Sequence, residues 1–97
     1  MTNVLSPADI NAALSELPGW SHTNDSLAKT FTFKGFREAL SFIVRVGVEA
    51  EVANHHPEIR NVWATVEIAL CTHDAGDRVT EKDVALARAI QAFDWTT

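Results

Sequence analysis

From Phe36 onward the apolar residues recur at steps of three and four (Phe36, Ala39, Leu40, Ile43, Val46, Gly47, Ala50, Ala53), and the pattern stops just before Pro57. Such a period predicts a long amphipathic helix. Proline disfavours helical geometry in the residue that precedes it, so the helix must end near Asn54. Beyond the proline the period changes to two. Val66, Ile68 and Leu70 alternate with Thr65, Glu67, Ala69, Cys71 and His73, the pattern of a strand with one face in a core and the other more open. Residues 58–63 and 65–72 therefore read as a hairpin whose base returns to the end of the long helix.

The flanking segments complete the architecture. Ser6 followed by Pro7 marks a helix start, and Ile10, Ala13, Leu14 and Leu17 form its inner face before Pro18-Gly19 stops it. Residues 20–23 and 27–34 are strand candidates around the turn formers Asn24-Asp25. Leu27, Phe31 and Phe33 share a face there, with Lys29 as the exception. The "DAGD" segment, residues 74–77, is a turn. Thr80 with Asp83 opens a last helix in the manner of a capping box, with Val84, Ala87, Ile90 and Phe93 facing inward. The order helix, two strands, helix, two strands, helix predicts an α+β fold, α-β-β-α-β-β-α, with a four-stranded antiparallel sheet and helices packed on one face.

A chain of 97 residues has room for a single domain spanning 1–97. Apolar residues make up 46% and charged residues 22%, an ordinary globular balance. The net charge of −5 argues against binding a phosphate backbone, which needs a basic face. A small ligand or another protein is the expected partner. Cys71 is the only cysteine, which excludes an internal disulfide. "MTNVLSPADI" has no basic segment followed by an apolar run, and no apolar stretch approaches membrane-spanning length. A cytoplasmic protein with no membrane contact is expected.

Two of the four histidines stand side by side, His55-His56, immediately before Pro57. In an antiparallel pair the numbers of facing residues sum to a constant. A turn centred near Ala64 sets that sum at about 128 and places His73 opposite His55; a shift of one residue leaves it beside Asn54 or His56. His55, His56 and His73 should then meet at one end of the sheet. Glu51, four residues before His55, lies on the same helix face and is placed to accept its ring N–H. His56, held extended by Pro57, should point elsewhere. Histidines with pKa near about 6.5 both give and take protons at neutral pH.

Plainer readings stand beside these. A histidine pair before proline can be a polar helix terminus favoured by the dipole. Glu51 with His55 is by default an exposed helix pair, and His73-Asp74 ordinary turn chemistry. Asp83 is most simply a capping residue and Trp63 a packing residue. Cys71 reads as an inert strand residue, and His22 carries no role. Three histidines with Glu51 or Asp74 have the donors for zinc. Adjacent histidines, however, diverge by roughly 100° on a helix and 180° on a strand. No metal is expected.

The spacing Glu51, three residues, His55-His56-Pro57, five residues, Trp63, nine residues, His73, nine residues, Asp83 resembles the signature of the pterin-4a-carbinolamine dehydratases. "LPGW" at 17–20 and "FTFKGFREALSFI" at 31–43 look like the N-terminal half of that family, so the resemblance covers essentially the whole chain. It implies the same α+β fold, a homodimer or homotetramer, and no metal or organic cofactor. It also implies dehydration of 4a-hydroxytetrahydrobiopterin, or a related 4a-hydroxytetrahydropterin, to the quinonoid dihydropterin, the recycling step after aromatic amino-acid hydroxylation. By matching position, His55 and His73 would protonate the departing hydroxyl on either face of the ring. His56 would bind the pterin and act as base, and Glu51 would orient His55. Trp63 takes the family's aromatic position and Asp83 its terminal acid, while Ile59 stands where some relatives carry an aromatic. The family also includes members that serve as a dimerisation cofactor of a homeodomain transcription factor, which makes a non-catalytic protein-binding module the alternative.

Overall fold

A computed structural model of the chain describes residues 3–93. Along it run α1 (Pro7–Leu14), β1 (Ser21–Thr23), β2 (Ser26–Thr32), α2 (Phe36–Ala53), β3 (Glu58–Val62), β4 (Thr65–Leu70), a single 3-10 turn (His73–Ala75) and α3 (Glu81–Ala92). This is the predicted order. The helix ends follow the local chemistry. Ser6 Oγ accepts from the Asp9 N–H at 3.1 Å and Pro7 occupies the first helical position. Asn54 closes α2 in the left-handed conformation at φ 49°, and the His55 N–H reaches back to the Ala50 carbonyl at 3.0 Å. The chain has therefore left the helix before Pro57 requires it to.

The four strands form one antiparallel sheet in the order β1-β2-β4-β3. In the β2–β4 pair Leu27 faces Leu70 and Phe31 faces Val66, so their side chains share one face of the sheet. That face packs on Ala39, Phe42, Val46 and Ala50 of α2 and on Val84, Leu86, Ala87 and Ile90 of α3. Phe42, fully buried, sits at the centre, with the rings of Phe31, Phe33 and Phe93 at 4.5, 5.0 and 5.7 Å. Lys29, opposite Ile68, points into the same face. Its stem lies among apolar groups while its ammonium donates to the Pro18 carbonyl at 2.9 Å and to Gln91 Oε1 at 3.0 Å, 4.9 Å from the centre of the Phe31 ring. The anomaly in the alternation is thus a charge that reaches polar partners past the core.

Two details differ from expectation. The β3–β4 register is Val62 opposite Thr65 and Glu58 opposite Ala69, a sum of 127, so the loop is the pair Trp63-Ala64. Trp63 adopts φ 49° there, a conformation few residues other than glycine or asparagine favour, which is why its sequence gives no turn signal. The second difference is that β2 and β4 each stop two residues early. After Leu70 the chain bends into a closed loop in which the Thr72 N–H donates to the Arg78 carbonyl at 2.8 Å and the Asp77 N–H to the Thr72 carbonyl at 3.1 Å. His73 lies in this loop and not on the strand. Among the described residues, no helix is long and apolar enough to cross a membrane.

Candidate active site

The C-terminus of α2, the start of β3, the loop after β4 and the N-terminus of α3 converge at one end of the sheet. His55 is the first residue beyond the left-handed cap of α2, and this turns its ring inward. Its Nε2–H donates to Asp83 Oδ1 at 2.5 Å, with the imidazole side chain only 10% exposed and Asp83 completely buried. Asp83 Oδ2 accepts from the Thr80 N–H at 2.8 Å and from the Thr72 hydroxyl at 2.9 Å; the two threonine hydroxyls are 2.7 Å apart. Every member of this network is satisfied, the condition under which a buried polar cluster rigidifies a site. Asp83 is both the capping residue of α3 and the partner of His55, so its two readings are not alternatives.

The expected pairing of Glu51 with His55 is corrected. Glu51 Oε1 instead accepts the Nε2–H of His56 at 2.5 Å. The i, i+4 relation requires both residues to be helical, and Asn54 ends the helix one residue before His55. His73 starts the 3-10 turn, and its Nδ1–H donates to Asp77 Oδ1 at 2.5 Å. Gly76 and Asp77 both take positive φ, 76° and 59°, which folds the carboxylate back onto the ring. The hydrogen bond to Asp77, followed by the charge of that carboxylate, raises the pKa of His73 above the ordinary value of about 6.5. Each of the three histidines thus commits one ring nitrogen to its own carboxylate.

Two adjoining depressions share His56 and His73. One, of about 150 Å³, is completed by Ser26, Pro57, Glu58, Ala69 and Cys71. The other, of about 190 Å³, is completed by Asn54, His55, Thr72, Asp74 and Lys82. A larger hollow of about 430 Å³ lies across the open face of the sheet, between residues such as Thr30, Arg60 and Glu67, and contains none of the histidines. The structure therefore gathers His55, His56, His73, Glu51, Pro57 and Asp83 at one place. It does not bring Trp63 there. Trp63 sits 69% exposed at the tip of the hairpin. Five residues separate it from Pro57, six steps along the strand or roughly 20 Å at the usual rise. Within one chain Trp63 cannot share a ligand with these histidines, because base and tip are opposite ends of the hairpin.

Sequence reasoning missed Asp77, Thr72 and Lys82. Asp77 left a usable signal, since it follows His73 by four residues in a segment rich in turn formers. The bond from Thr72 to Asp83 joins residues whose closeness depends on the loop, and no local pattern announces it. Among the described residues, one mixed group could hold a metal ion: the ligating atoms of Cys71, His73 and Asp77 lie within 4.8 Å of one another.

The family model described as pterin 4 alpha carbinolamine dehydratase matches residues 3–93. A relative from Opitutus terrae, provisionally named pterin-4-alpha-carbinolamine dehydratase, is 52% identical over 95 residues, covering 98% of this chain and 98% of its own length. One from Nitrobacter winogradskyi with the same provisional name is 54% identical over 85 residues, covering 86% of this chain and 83% of its own. A crystal structure described as a transcriptional coactivator/pterin dehydratase from Brucella melitensis superposes with a TM-score of 0.87 at 35% identity, covering 93% of this chain and 97% of that one. In sequence over its described length, and in fold, this chain belongs to the pterin 4 alpha carbinolamine dehydratase family.

Proposed function

We propose that this chain is a dehydratase that eliminates water from a 4a-hydroxytetrahydropterin, 4a-hydroxytetrahydrobiopterin included, to give the quinonoid dihydropterin, by general acid/base catalysis and with no cofactor. The observation that carries the reading is the meeting of His55, His56 and His73, each on its own carboxylate, in two adjoining depressions. Hydroxide leaves a carbon poorly until it is protonated. A histidinium, His73 on one face of the ring or His55 on the other, donates a proton to the 4a-hydroxyl. As the carbon–oxygen bond breaks, the lone pair of the adjacent ring nitrogen forms the new double bond. His56 takes the proton that this nitrogen sheds, and water departs. The Asp83 and Glu51 carboxylates hold the His55 and His56 rings and stabilise them when charged. Freshly made 4a-hydroxytetrahydropterin, followed for dihydropterin formation with and without the protein, tests the reading directly; equal rates in the two would end it.

His73 gives this reading a pH signature. Its pKa is raised by the Asp77 hydrogen bond and charge, so it holds its proton to higher pH than an unperturbed histidine does. The acid-dependent rate should fall as pH rises through a value above about 6.5. In Asp77→Asn the hydrogen-bonded charge is gone, the pKa drops, and the fall should begin at lower pH. A pH profile of kcat/KM that is the same for both proteins would remove His73 from the acid role.

The same reading places the protein in the cytoplasm as a homodimer or homotetramer that does not touch nucleic acid. Support for self-association comes from α2. Phe36, Leu40, Val44, Val48 and Val52, each 44% or more exposed, form an i±4 row along the side of the helix away from the core. Such a row is the ridge by which two helices interlock, and an apolar stripe of this length is rarely left bare on a monomer. Val44→Asp with Val48→Asp should reduce the mass measured by light scattering to that of one chain, without loss of helical content, because neither side chain enters the core. Unchanged mass would place the interface elsewhere. The coactivator description of the Brucella structure keeps a protein-binding role as the second reading. A stoichiometric foreign partner in the absence of any pterin turnover would favour it.

A further inference from the structure

The loop that carries His73 sets that histidine and Asp77 beside a thiol, Cys71, that proton transfer does not use. Cys71 is the last outward-facing residue after β4, half-buried beside Ser26, and His73 and Asp77 belong to the closed turn that follows. A thiol sulfur, an imidazole nitrogen and a carboxylate oxygen lie within 4.8 Å of one another. Zinc bond lengths and a tetrahedral angle separate ligand atoms by roughly 3.3 to 3.7 Å, so small side-chain rotations close the set. The loop is prepared for this by the backbone bonds joining Thr72 to Arg78 and to Asp77, and by the left-handed turn at Gly76 and Asp77. Asp74 adds a further negative charge close by, one of the charges that act on His73.

We propose that Cys71, His73 and Asp77 form a three-ligand site for a thiophilic divalent cation of the zinc type, with the fourth position open to solvent. A sulfur, a nitrogen and an oxygen donor together suit zinc or cobalt and disfavour magnesium and calcium, which take oxygen. Burial raises the pKa of the Cys71 thiol, so without a metal it keeps its proton; binding releases that proton to solvent and leaves a metal–thiolate bond. The cation is not part of the reaction. Cys71 and His73 line the depression that also holds His56, so the ion occupies the acid His73 and blocks the site. Occupancy would make the enzyme reversibly inhibited by zinc. This inhibitory consequence rests on the dehydratase reading; the binding site does not.

Cobalt(II) is the probe, added to the metal-free full-length protein. One ion per chain should bind, with the intense near-ultraviolet thiolate-to-cobalt band, and zinc should displace it. Cys71→Ser should lose that band, and Asp77→Asn should weaken binding by about tenfold or more. No thiolate band, or an unchanged band in Cys71→Ser, overturns the site. In the dehydration assay zinc should inhibit wild type and release it on chelation, and Cys71→Ser should need roughly tenfold more zinc for the same fractional loss. Cobalt bound at Cys71 with no effect of zinc on turnover overturns the inhibitory consequence. A thiolate band in a protein that shows no dehydratase activity at all leaves the site standing and rejects the dehydratase reading.

Discussion

His56→Ala is expected to lower kcat for loss of the 4a-hydroxyl by about 10² to 10⁴, the usual contribution of a positioned acid or base, while the folded structure persists. The asymmetry follows from where His56 sits. Its ring is 60% exposed and its partner Glu51 77% exposed. Exposed pairs of this kind contribute only about 0 to 1 kcal/mol, so the thermal midpoint should barely move. Nothing in the core touches the ring, and Pro57 continues to impose the extended backbone. The measurement is initial-rate dihydropterin formation alongside a melting curve on the same sample. A rate within about threefold of wild type, well short of the loss expected of an acid/base residue, would remove His56 from the chemistry. Glu51→Gln should lie between wild type and His56→Ala, because the amide still holds the ring but no longer stabilises its charged form.

Asp83→Ala should damage both stability and turnover. The carboxylate is fully buried and accepts three hydrogen bonds, from the Thr80 N–H, the Thr72 hydroxyl and the His55 ring. Alanine removes the acceptor of the Thr80 N–H and of the His55 ring, and leaves the Thr72 hydroxyl only the Thr80 hydroxyl 2.7 Å away. Unsatisfied buried donors, one of them an imidazole, together with a lost helix cap make a cost of about 2 to 4 kcal/mol. For a chain of this size that is a fall in Tm of roughly 10 to 25 °C. Thr80→Ala and Asp83→Asn separate the two roles of the residue. The first removes the threonine half of the cap at about 1 kcal/mol, keeps the carboxylate on His55, and should leave kcat near wild type. The second keeps the volume and one acceptor but removes the charge that faces His55, so kcat should fall more than KM changes. If Thr80→Ala and Asp83→Asn lose activity only in proportion to stability, Asp83 is a capping residue and nothing more.

Several features of the site could be read in the chain itself because short-range rules carry them. The period of α2, its stop before Pro57 and the alternation of Val66, Ile68 and Leu70 place the histidine pair at a helix end and the hairpin base beside it. The pairing arithmetic missed the register by one residue. It still returned His73 to the histidine pair, since the loop after β4 is short and has little freedom to travel. The partners of the histidines were less accessible. Glu51 was matched to His55 on helical spacing, yet one left-handed residue, Asn54, ended the helix and handed Glu51 to His56. Trp63 was grouped with the site by the family spacing, although the hairpin carries it to the far end of the molecule.

The general pattern lies in the range of the forces. Helix, strand and turn preferences act over a few residues, so the α-β-β-α-β-β-α order and the identity of the three histidines are legible in the amino-acid string. Which carboxylate meets which imidazole depends on contacts between elements far apart in sequence. His55 meets Asp83 across 28 positions because α3 begins where α2 ends, and Thr72 meets Asp83 because a closed loop bends the chain back. A hydrogen bond is sensitive to displacements of a few tenths of an ångström, a precision that side-chain periodicity does not carry and that packing of the sheet against α2 and α3 supplies.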